Sequence, residues 1–130
     1  CAKTLLALPD EALRAAGLSG MKVTYLKDLA QHALDGKLPS LAEARAMSDE
    51  QLVRCFMAIK GIGRWSVEMY LIFDLGRADI FPVDDYGIRK AIAKLHNLAE
   101  LPPAKLMAQY AEQWKPYRSV ASLYLWRSLD

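Results

Sequence analysis

The chain has 130 residues, a formal net charge of +2 at pH 7 and a hydrophobic content of 53%. These values are typical of a single globular domain with a sizeable core, and they exclude a long basic tail as the means of binding a partner. No apolar stretch has the length of a membrane span or the order of a signal peptide, so we expect no membrane interaction.

The first third of the chain is predicted to be helical, because capping and breaking residues flank apolar positions at helical spacing. Ser19 and the pair Pro39-Ser40 are predicted to start helices, and Gly17 and Gly36 to end them. No alternating pattern typical of strands competes with this interpretation. The predicted helices cover residues 9–17, 19–36 and 39–46.

The next segment predicts two helices joined by a tight glycine turn. Ser48 and Gln51 have the spacing of a capping box, so a helix should start there and continue to Ile59. Gly61 and Gly63 then form the turn, either by adopting positive φ or by letting another backbone approach. A second, largely buried helix is predicted from residue 65. The N–H groups at its start would form an anion site that suits a phosphate oxygen without reading base sequence.

Two interpretations of this turn compete. Gly61 and Gly63 alone are compatible with a plain connection between packed helices, since glycine is common at helix C-termini. Lys60 and Arg64 place positive charge on both sides of the turn, which favours a phosphate-binding hairpin. The segment is therefore interpreted as a helix-hairpin-helix that holds DNA backbone.

Two adjacent aspartates follow the second helix of the hairpin. Phe81-Pro82 is predicted to be extended, because proline disfavours helix at the preceding residue, and either Asp84 or Asp85 is then placed to cap a helix over residues 88–95. One aspartate suffices for the cap, which leaves the other for chemistry. Further helices are predicted over residues 103–113 and 117–129, separated by Pro116. The complete pattern predicts an all-α fold, a compact helical domain built around the helix-hairpin-helix.

Three separated motifs stand in order along the chain: GIGRWS at 61–66, FPVDDY at 81–86, and WKPYRS at 114–119 with YLWR at 124–127. Together they resemble the helix-hairpin-helix superfamily of DNA glycosylases, and within it the alkylated-base branch of the 3-methyladenine DNA glycosylase II type. The resemblance covers residues from about 13 to 126. It implies one glycosylase domain over residues 1–130 that lacks the upstream helices of other members.

The resemblance assigns roles to particular residues. Asp85 would be the catalytic carboxylate and Asp84 the helix cap, although a gapless alignment to other branches makes Asp84 a competitor for catalysis. The turn carbonyls of Ile59 and Ile62 would hold a monovalent cation, and no side chains are expected to bind a metal. The residues implied for binding the DNA backbone are Lys60, Gly61, Ile62, Gly63 and Arg64.

Trp65 stands where strand-cutting members of the superfamily carry a lysine. An indole cannot form a Schiff base, so the resemblance implies a monofunctional base-excision-repair enzyme that leaves the strand intact. It would hydrolyse the N-glycosidic bond of alkylated purines, such as 3-methyladenine and 7-methylguanine, after the base flips out of duplex DNA. The implied base pocket is Trp65, Met69, Trp126 and Tyr124, whereas Phe56, Tyr70 and Phe73 are interpreted as core residues.

The expected partner is double-stranded DNA containing alkylated bases, in the cytoplasm with the nucleoid or in a nucleus. A missing N-terminal segment or a second chain is expected to complete the fold. Cys1 and Cys55 cannot supply the four thiolates of the iron–sulfur cluster that some members carry, so no cofactor is expected.

The alternative function is a non-catalytic helix-hairpin-helix module that only binds DNA. It explains the glycine turn but leaves the paired aspartates and the Trp126 region unexplained. A purely helical interaction domain explains still less, because it predicts nothing about a basic hairpin.

Overall fold

The computed structural model describes all residues from Cys1 to Asp130, and every regular element in it is helical. The prediction of an all-α fold is confirmed. The elements are α1 (Ala2–Ala7), α2 (Asp10–Ala15), α3 (Gly20–Leu34), α4 (Leu41–Ala46), α5 (Asp49–Met57), α6 (Arg64–Phe73), α7 (Tyr86–Leu95), α8 (Ala104–Ala111), a 3₁₀ turn (Glu112–Trp114) and α9 (Arg118–Arg127). No helix combines the length and the apolar character that a membrane span requires.

The chain divides into two compact units, Cys1–Val67 and Glu68–Asp130. The boundary falls within α6, so the glycine hairpin belongs to the first unit and the paired aspartates belong to the second. The expectation of one glycosylase domain over residues 1–130 stays a prediction.

In the first unit, α1 and α2 pack against the long helix α3. Three serines fix helix starts by accepting a backbone N–H three residues on: Ser19 for α3, Ser40 for α4 and Ser48 for α5. Both halves of the Ser48 and Gln51 capping box are formed, as predicted. The buried apolar residues of this unit are Leu13, Val23, Ala30, Ala44, Leu52, Val53, Ile59 and Val67.

In the second unit, α7 packs against α9, and the buried face of α8 completes the core. The buried cluster contains Phe81, Ile88, Ala91, Ile92, Met107, Ala111 and Leu125. Phe81 contributes from the extended segment before α7, so the start of that helix is tied directly to the core. Trp126 and Trp114 pack against the edge of the cluster and are only partly buried.

The structure differs from the predicted helices in one added helix, in one 3₁₀ turn and by one or two residues at most helix ends. The helix α1 has no side-chain N-cap and was not predicted, because it lacks the local signal that marks α3 to α5. The helix α5 ends at Met57 rather than at residue 59, and α7 begins at Tyr86 rather than at residue 88. The predicted helix 103–113 changes to a 3₁₀ turn after Ala111.

The two glycines of the hairpin turn have different structural roles. Gly61 has φ +86°, and a Cβ at this residue would overlap the ring of Tyr25. Gly63 has no positive φ, and a Cβ there would meet nothing within 4 Å. Glycine is therefore required by the fold at Gly61 alone, both for the left-handed backbone and for the close approach of an aromatic ring.

We predict that Gly61→Ala lowers the free energy of unfolding by about 1–3 kcal/mol, because the added methyl group meets Tyr25 in a packed region and the backbone conformation disfavours alanine. The matched control is Gly63→Ala, which should change stability little. Equilibrium unfolding in urea, followed by circular dichroism, measures both. Equal midpoints for the two variants would contradict the assignment of Gly61 as the structural glycine.

Candidate functional site

The glycine hairpin is held from behind by α3. The carboxylate Oδ2 of Asp28 accepts the backbone N–H of Lys60 at 2.8 Å, while the ring of Tyr25 lies against Gly61. Within the turn, the carbonyl of Ile59 accepts the N–H of Ile62 at 3.2 Å. The turn is thus fixed by a carboxylate and an aromatic ring that both belong to α3, neither of which the sequence pattern had indicated.

The basic residues of the hairpin are both exposed, but one already has an acidic partner. The guanidinium Nη2 of Arg64 lies 2.6 Å from Oε1 of Glu50 on α5. This hydrogen bond and the positive charge of Arg64 lower the pKa of the Glu50 carboxyl group. The positive charge at the start of α6 is therefore partly balanced by a carboxylate, and a phosphate would have to compete with it.

The backbone of the turn also offers oxygen atoms. A carbonyl oxygen has two lone pairs, and the carbonyl of Ile59 uses one of them for the N–H of Ile62. A hard monovalent cation prefers such oxygen ligands. The donor set at Ile59 and Ile62 therefore fits the implied cation.

Asp85, and not Asp84, caps α7. Its Oδ1 accepts the backbone N–H of Ile88 at 2.8 Å, and the residue is only 8% exposed. The expectation that Asp84 caps this helix is therefore wrong: Asp84 lies on the surface, and α7 starts one residue after Asp85. The cap position and the predicted catalytic position coincide in one side chain.

A second donor reaches the same oxygen from α9. The indole Nε1 of Trp126 donates to Oδ1 of Asp85 at 2.8 Å. Oδ1 thus accepts one bond from the helix that it caps and another from a helix 41 residues later in the chain. Two donors at one oxygen restrict the orientation of the carboxylate.

Phe73 belongs to this group, although it was interpreted as a core residue. It is 60% exposed and its ring stacks on that of Trp126, with centroids 5.9 Å apart and an interplanar angle of 25°. The core interpretation of Phe73 is therefore wrong. It was plausible because Phe73 ends an apolar run on α6, and periodicity alone does not distinguish a buried terminus from an exposed one.

The other predicted pocket residues are distributed along two helices. Trp65 is half-exposed at the start of α6, in the first unit, and Met69 is partly buried in the second unit. Tyr124 is 71% exposed and lines a separate apolar cavity of about 550 Å³ with Trp114 and Leu125. Because residues two apart on a helix face different directions, the structure does not bring Tyr124 to the indole of Trp126.

The segment before the aspartates is attached to α9 by several polar contacts. Arg118 makes a two-pronged ion pair with Asp79, and Ser119 accepts the N–H of Ile80 while donating to the carbonyl of Arg77. The buried hydroxyl of Ser122 donates to the carbonyls of Arg118 and Ile80. These contacts fix the extended segment relative to the helix that carries Trp126.

The Arg118 guanidinium lowers the pKa of the Asp79 carboxyl group by hydrogen bonding, and the same contact raises the pKa of Arg118. Since the pKa of Asp79 is lower in the folded chain than in the unfolded chain, this pair stabilises the fold fully above the unfolded value. That stabilisation is lost as the pH falls through the lowered folded value. Arg118 therefore has a structural role here.

The protein is similar to known proteins over nearly its whole length. Residues 1–116 match the family model described as HhH-GPD superfamily base excision DNA repair protein. The chain is 41% identical over 118 residues to DNA-3-methyladenine glycosylase 1 of Schizosaccharomyces pombe, covering 91% of this chain and 52% of that protein. It is 33% identical over 122 residues to DNA-3-methyladenine glycosylase 2 of Escherichia coli, covering 94% and 40%.

Two solved structures have the same fold. One is a 3-methyladenine DNA glycosylase of Schizosaccharomyces pombe in complex with abasic DNA, with a TM-score of 0.86, 38% identity, and coverage of 97% of this chain and 61% of that one. The other is a DNA-3-methyladenine glycosidase from Bacillus halodurans, with a TM-score of 0.85, 35% identity, and coverage of 98% and 58%. The chain spans about half the length of the curated relatives it matches. It belongs to the HhH-GPD superfamily of base excision DNA repair proteins.

Proposed function

We propose that this chain supplies the chemistry of a monofunctional DNA glycosylase, which hydrolyses the N-glycosidic bond of alkylated purines flipped out of duplex DNA. The observation that carries the proposal is the buried carboxylate of Asp85, held by the indole of Trp126 and by the backbone at Ile88. Similar proteins are named DNA-3-methyladenine glycosylase, and one similar structure contains abasic DNA. The substrates proposed are therefore purines of the 3-methyladenine and 7-methylguanine type.

The carboxylate of Asp85 has the properties that this reaction needs. Breaking an N-glycosidic bond develops positive charge on the sugar, and a fixed negative charge nearby stabilises that charge. The same carboxylate can orient or deprotonate the water that attacks the sugar. Because its orientation is set by two hydrogen bonds before substrate arrives, little reorganisation is needed during the reaction. Asp84, which is exposed, lacks this preorganisation and is the weaker candidate.

The aromatic rings near Asp85 suit a cationic base. Alkylation at N3 or N7 gives a purine a positive charge and makes it a good leaving group, so a strong general acid is not required. Trp126, with Phe73 stacked on it, presents an aromatic face, and a cation over such a face gains about 0.5–2 kcal/mol. Trp65 and Met69 on α6 and Tyr124 on α9 remain proposed pocket residues, and Tyr124 also lines the apolar cavity of about 550 Å³.

The hairpin is proposed to hold the DNA backbone. Lys60, Gly61, Ile62, Gly63 and Arg64 would contact phosphates through N–H groups and positive charge, which fixes register without selecting a sequence. The carbonyls of Ile59 and Ile62 would hold a monovalent cation, which would add positive charge beside a phosphate. The brace formed by Asp28 and Tyr25 keeps these groups in place before DNA binds.

A non-catalytic DNA-binding module would need only the hairpin. It gives no reason to bury a carboxylate that accepts an indole N–H from a distant helix, since capping α7 needs only one local bond. The second unit therefore favours an enzyme.

We further propose that the enzyme needs no iron–sulfur cluster, because Cys1 and Cys55 are too few to bind one. We also propose that it acts where DNA is kept, in the cytoplasm with the nucleoid or in a nucleus.

Additional polypeptide is proposed to cover one face of α9. Tyr117, Val120, Leu123 and Tyr124 are all at least 44% exposed and lie on or beside this helix, next to the apolar cavity of about 550 Å³. Contiguous exposed apolar surface of this kind commonly marks an interface. The relatives are about twice as long as the matched region, so the proposed cover is polypeptide of this protein that lies outside residues 1–130.

The proposed reaction predicts a specific product. We expect the protein, together with any segment that precedes residue 1 in the natural product, to release free methylated purine from alkylated duplex DNA and to leave an abasic strand that breaks only on treatment with alkali. Borohydride present during the reaction should trap no covalent complex, because Trp65 offers no amine. A denaturing gel with and without alkali, together with chromatography of the released base, measures both. Strand cleavage with a trapped adduct would assign the chain to a lyase mechanism.

We predict that Asp85→Asn lowers the single-turnover rate of base release at least about a hundredfold, the scale seen when a charge-stabilising group is removed. Asparagine is as good an N-cap as aspartate, so α7 should remain intact and DNA affinity should change little. The matched control is Asp84→Asn, which should keep a near-normal rate. The opposite ranking would transfer catalysis to Asp84, and full activity in both variants would refute the enzyme proposal.

For the hairpin, we predict that Glu50→Gln raises the affinity for duplex DNA about two- to fivefold, because the substitution removes the charge that competes with phosphate for Arg64. Arg64→Gln should lower affinity and reduce the dependence of log K on log salt by about one unit. Fluorescence anisotropy at several salt concentrations measures both, with Glu11→Gln as a control for charge alone. Equal affinities for Glu50→Gln and Glu11→Gln would show that Arg64 does not bind phosphate.

A further inference from the structure

Gly87, the second residue of α7, lies directly against the Asp85 and Trp126 contact. A Cβ at Gly87 would stand 3.2 Å from Oδ1 of Asp85, 3.2 Å from Cδ1 of Trp126 and 3.4 Å from Nε1 of the same indole. The backbone of Gly87 has no positive φ, so an ordinary side chain could adopt its conformation. The backbone conformation therefore does not require glycine here. What favours glycine is the lack of space for a Cβ beside Asp85 and Trp126.

Another helical glycine, Gly20, differs from Gly87 in the space around it. Gly20 is the first residue of α3, and a Cβ there would meet nothing within 4 Å. Glycine within a helix is less favourable than alanine, because it loses more backbone freedom on folding. Gly87 is such a less favourable helical glycine, and it lies where the indole N–H of Trp126 reaches the carboxylate of Asp85.

We propose that Gly87 is a positioning residue for the carboxylate of Asp85. By lacking a side chain, it allows the indole of Trp126 to approach to 2.8 Å from Oδ1 and so fixes the orientation of the group that stabilises the sugar cation. This inference rests on the proposed function, because it treats Asp85 as the reacting carboxylate. Gly87 acts through the two side chains beside it and makes no contact with substrate itself.

The contacts of Asp85 and Trp126 determine which of the two side chains moves when a methyl group is added at Gly87. A methyl group 3.2 Å from an oxygen and an aromatic carbon is closer than ordinary van der Waals contact, so one neighbour must move by a few tenths of an ångström. The carboxylate is held by the backbone N–H of Ile88, in the same turn of helix. The indole lies at the edge of the buried cluster and stacks on the exposed ring of Phe73, so it moves more easily than a side chain bonded to its own helix start. Alanine at this position therefore displaces Trp126 and weakens its hydrogen bond to Asp85.

The test compares Gly87→Ala with Gly20→Ala, in which the same substitution is made in open space. We expect Gly87→Ala to lower the single-turnover rate of base release at least about tenfold, since small displacements of a positioning group cost catalysis heavily. The affinity for DNA should stay within about twofold, and the midpoint of thermal unfolding should not fall. Gly20→Ala should match the parent protein in rate. An unchanged rate in Gly87→Ala overturns the inference.

A double-mutant cycle with Trp126→Phe separates positioning from a general effect on folding. Phenylalanine has a smaller ring and no N–H, so in that background Gly87→Ala should cause no further loss of rate. Independent, additive losses in the double variant would overturn the inference.

A measurement that does not need activity distinguishes failure of this inference from failure of the proposed function. The indole N–H resonance of Trp126, assigned by its disappearance in Trp126→Phe, should exchange with solvent at least about tenfold faster in Gly87→Ala than in the parent. If base is never released but this exchange is accelerated, the positioning contact stands and the proposed function fails. If exchange is unchanged, the inference fails whatever the activity.

Discussion

The positions of α7 and α9 relative to the candidate site depend on one oxygen atom, Oδ1 of Asp85. It accepts both a backbone N–H from its own helix and an indole N–H from α9. Each bond alone would be ordinary. Together they link the start of α7 to the end of the chain, so the position of the carboxylate is set by tertiary structure and not only by a local cap. A charged acceptor bound by two donors in a buried position is also a strong contact, because charge-assisted hydrogen bonds are stronger than neutral ones.

The contacts at the other end of α9 also fix the segment that carries Asp85. Arg118 and Ser119 tie the start of this helix to Asp79 and Ile80, while Trp126 ties its end to Asp85. The segment between residues 79 and 85 is therefore fixed at both ends by a single helix. This explains why the motifs WKPYRS and FPVDDY belong together although about thirty residues separate them. One supplies the anchors and the other supplies the carboxylate.

The hairpin in the first unit is likewise fixed by side chains from a helix distant in sequence. The proposed binding of phosphate would need a turn whose own backbone conformation is stabilised from within the protein. Asp28 takes the N–H of Lys60, and Tyr25 fills the space that a side chain at Gly61 would occupy. The long helix α3 thus supports the turn through both of these side chains.

Local signals explain which parts of this structure the sequence predicted. The capping serines, the glycine that ends α2 and the turn at Gly61 act over a few residues, so their patterns identified α2 to α6 and the hairpin correctly. The aspartate roles could not be separated in this way, because Asp84 and Asp85 are adjacent and equally good caps. What distinguishes them is the indole of Trp126, which is 41 residues away in sequence.

The same reasoning applies to the positions of two aromatic residues. Phe73 and Tyr124 both lie in apolar runs, and only the packing of α9 places Phe73 on Trp126 and turns Tyr124 towards another cavity. Gly87 had no sequence signal at all, since a glycine near a helix start is usually read as a matter of backbone freedom. Its environment shows instead that the absence of a Cβ is what permits the indole to meet the carboxylate. The contact between Asp85 and Trp126, and the space that Gly87 leaves for it, are therefore recognisable only once long-range packing is known, whereas local signals identify most of the helices that carry these residues.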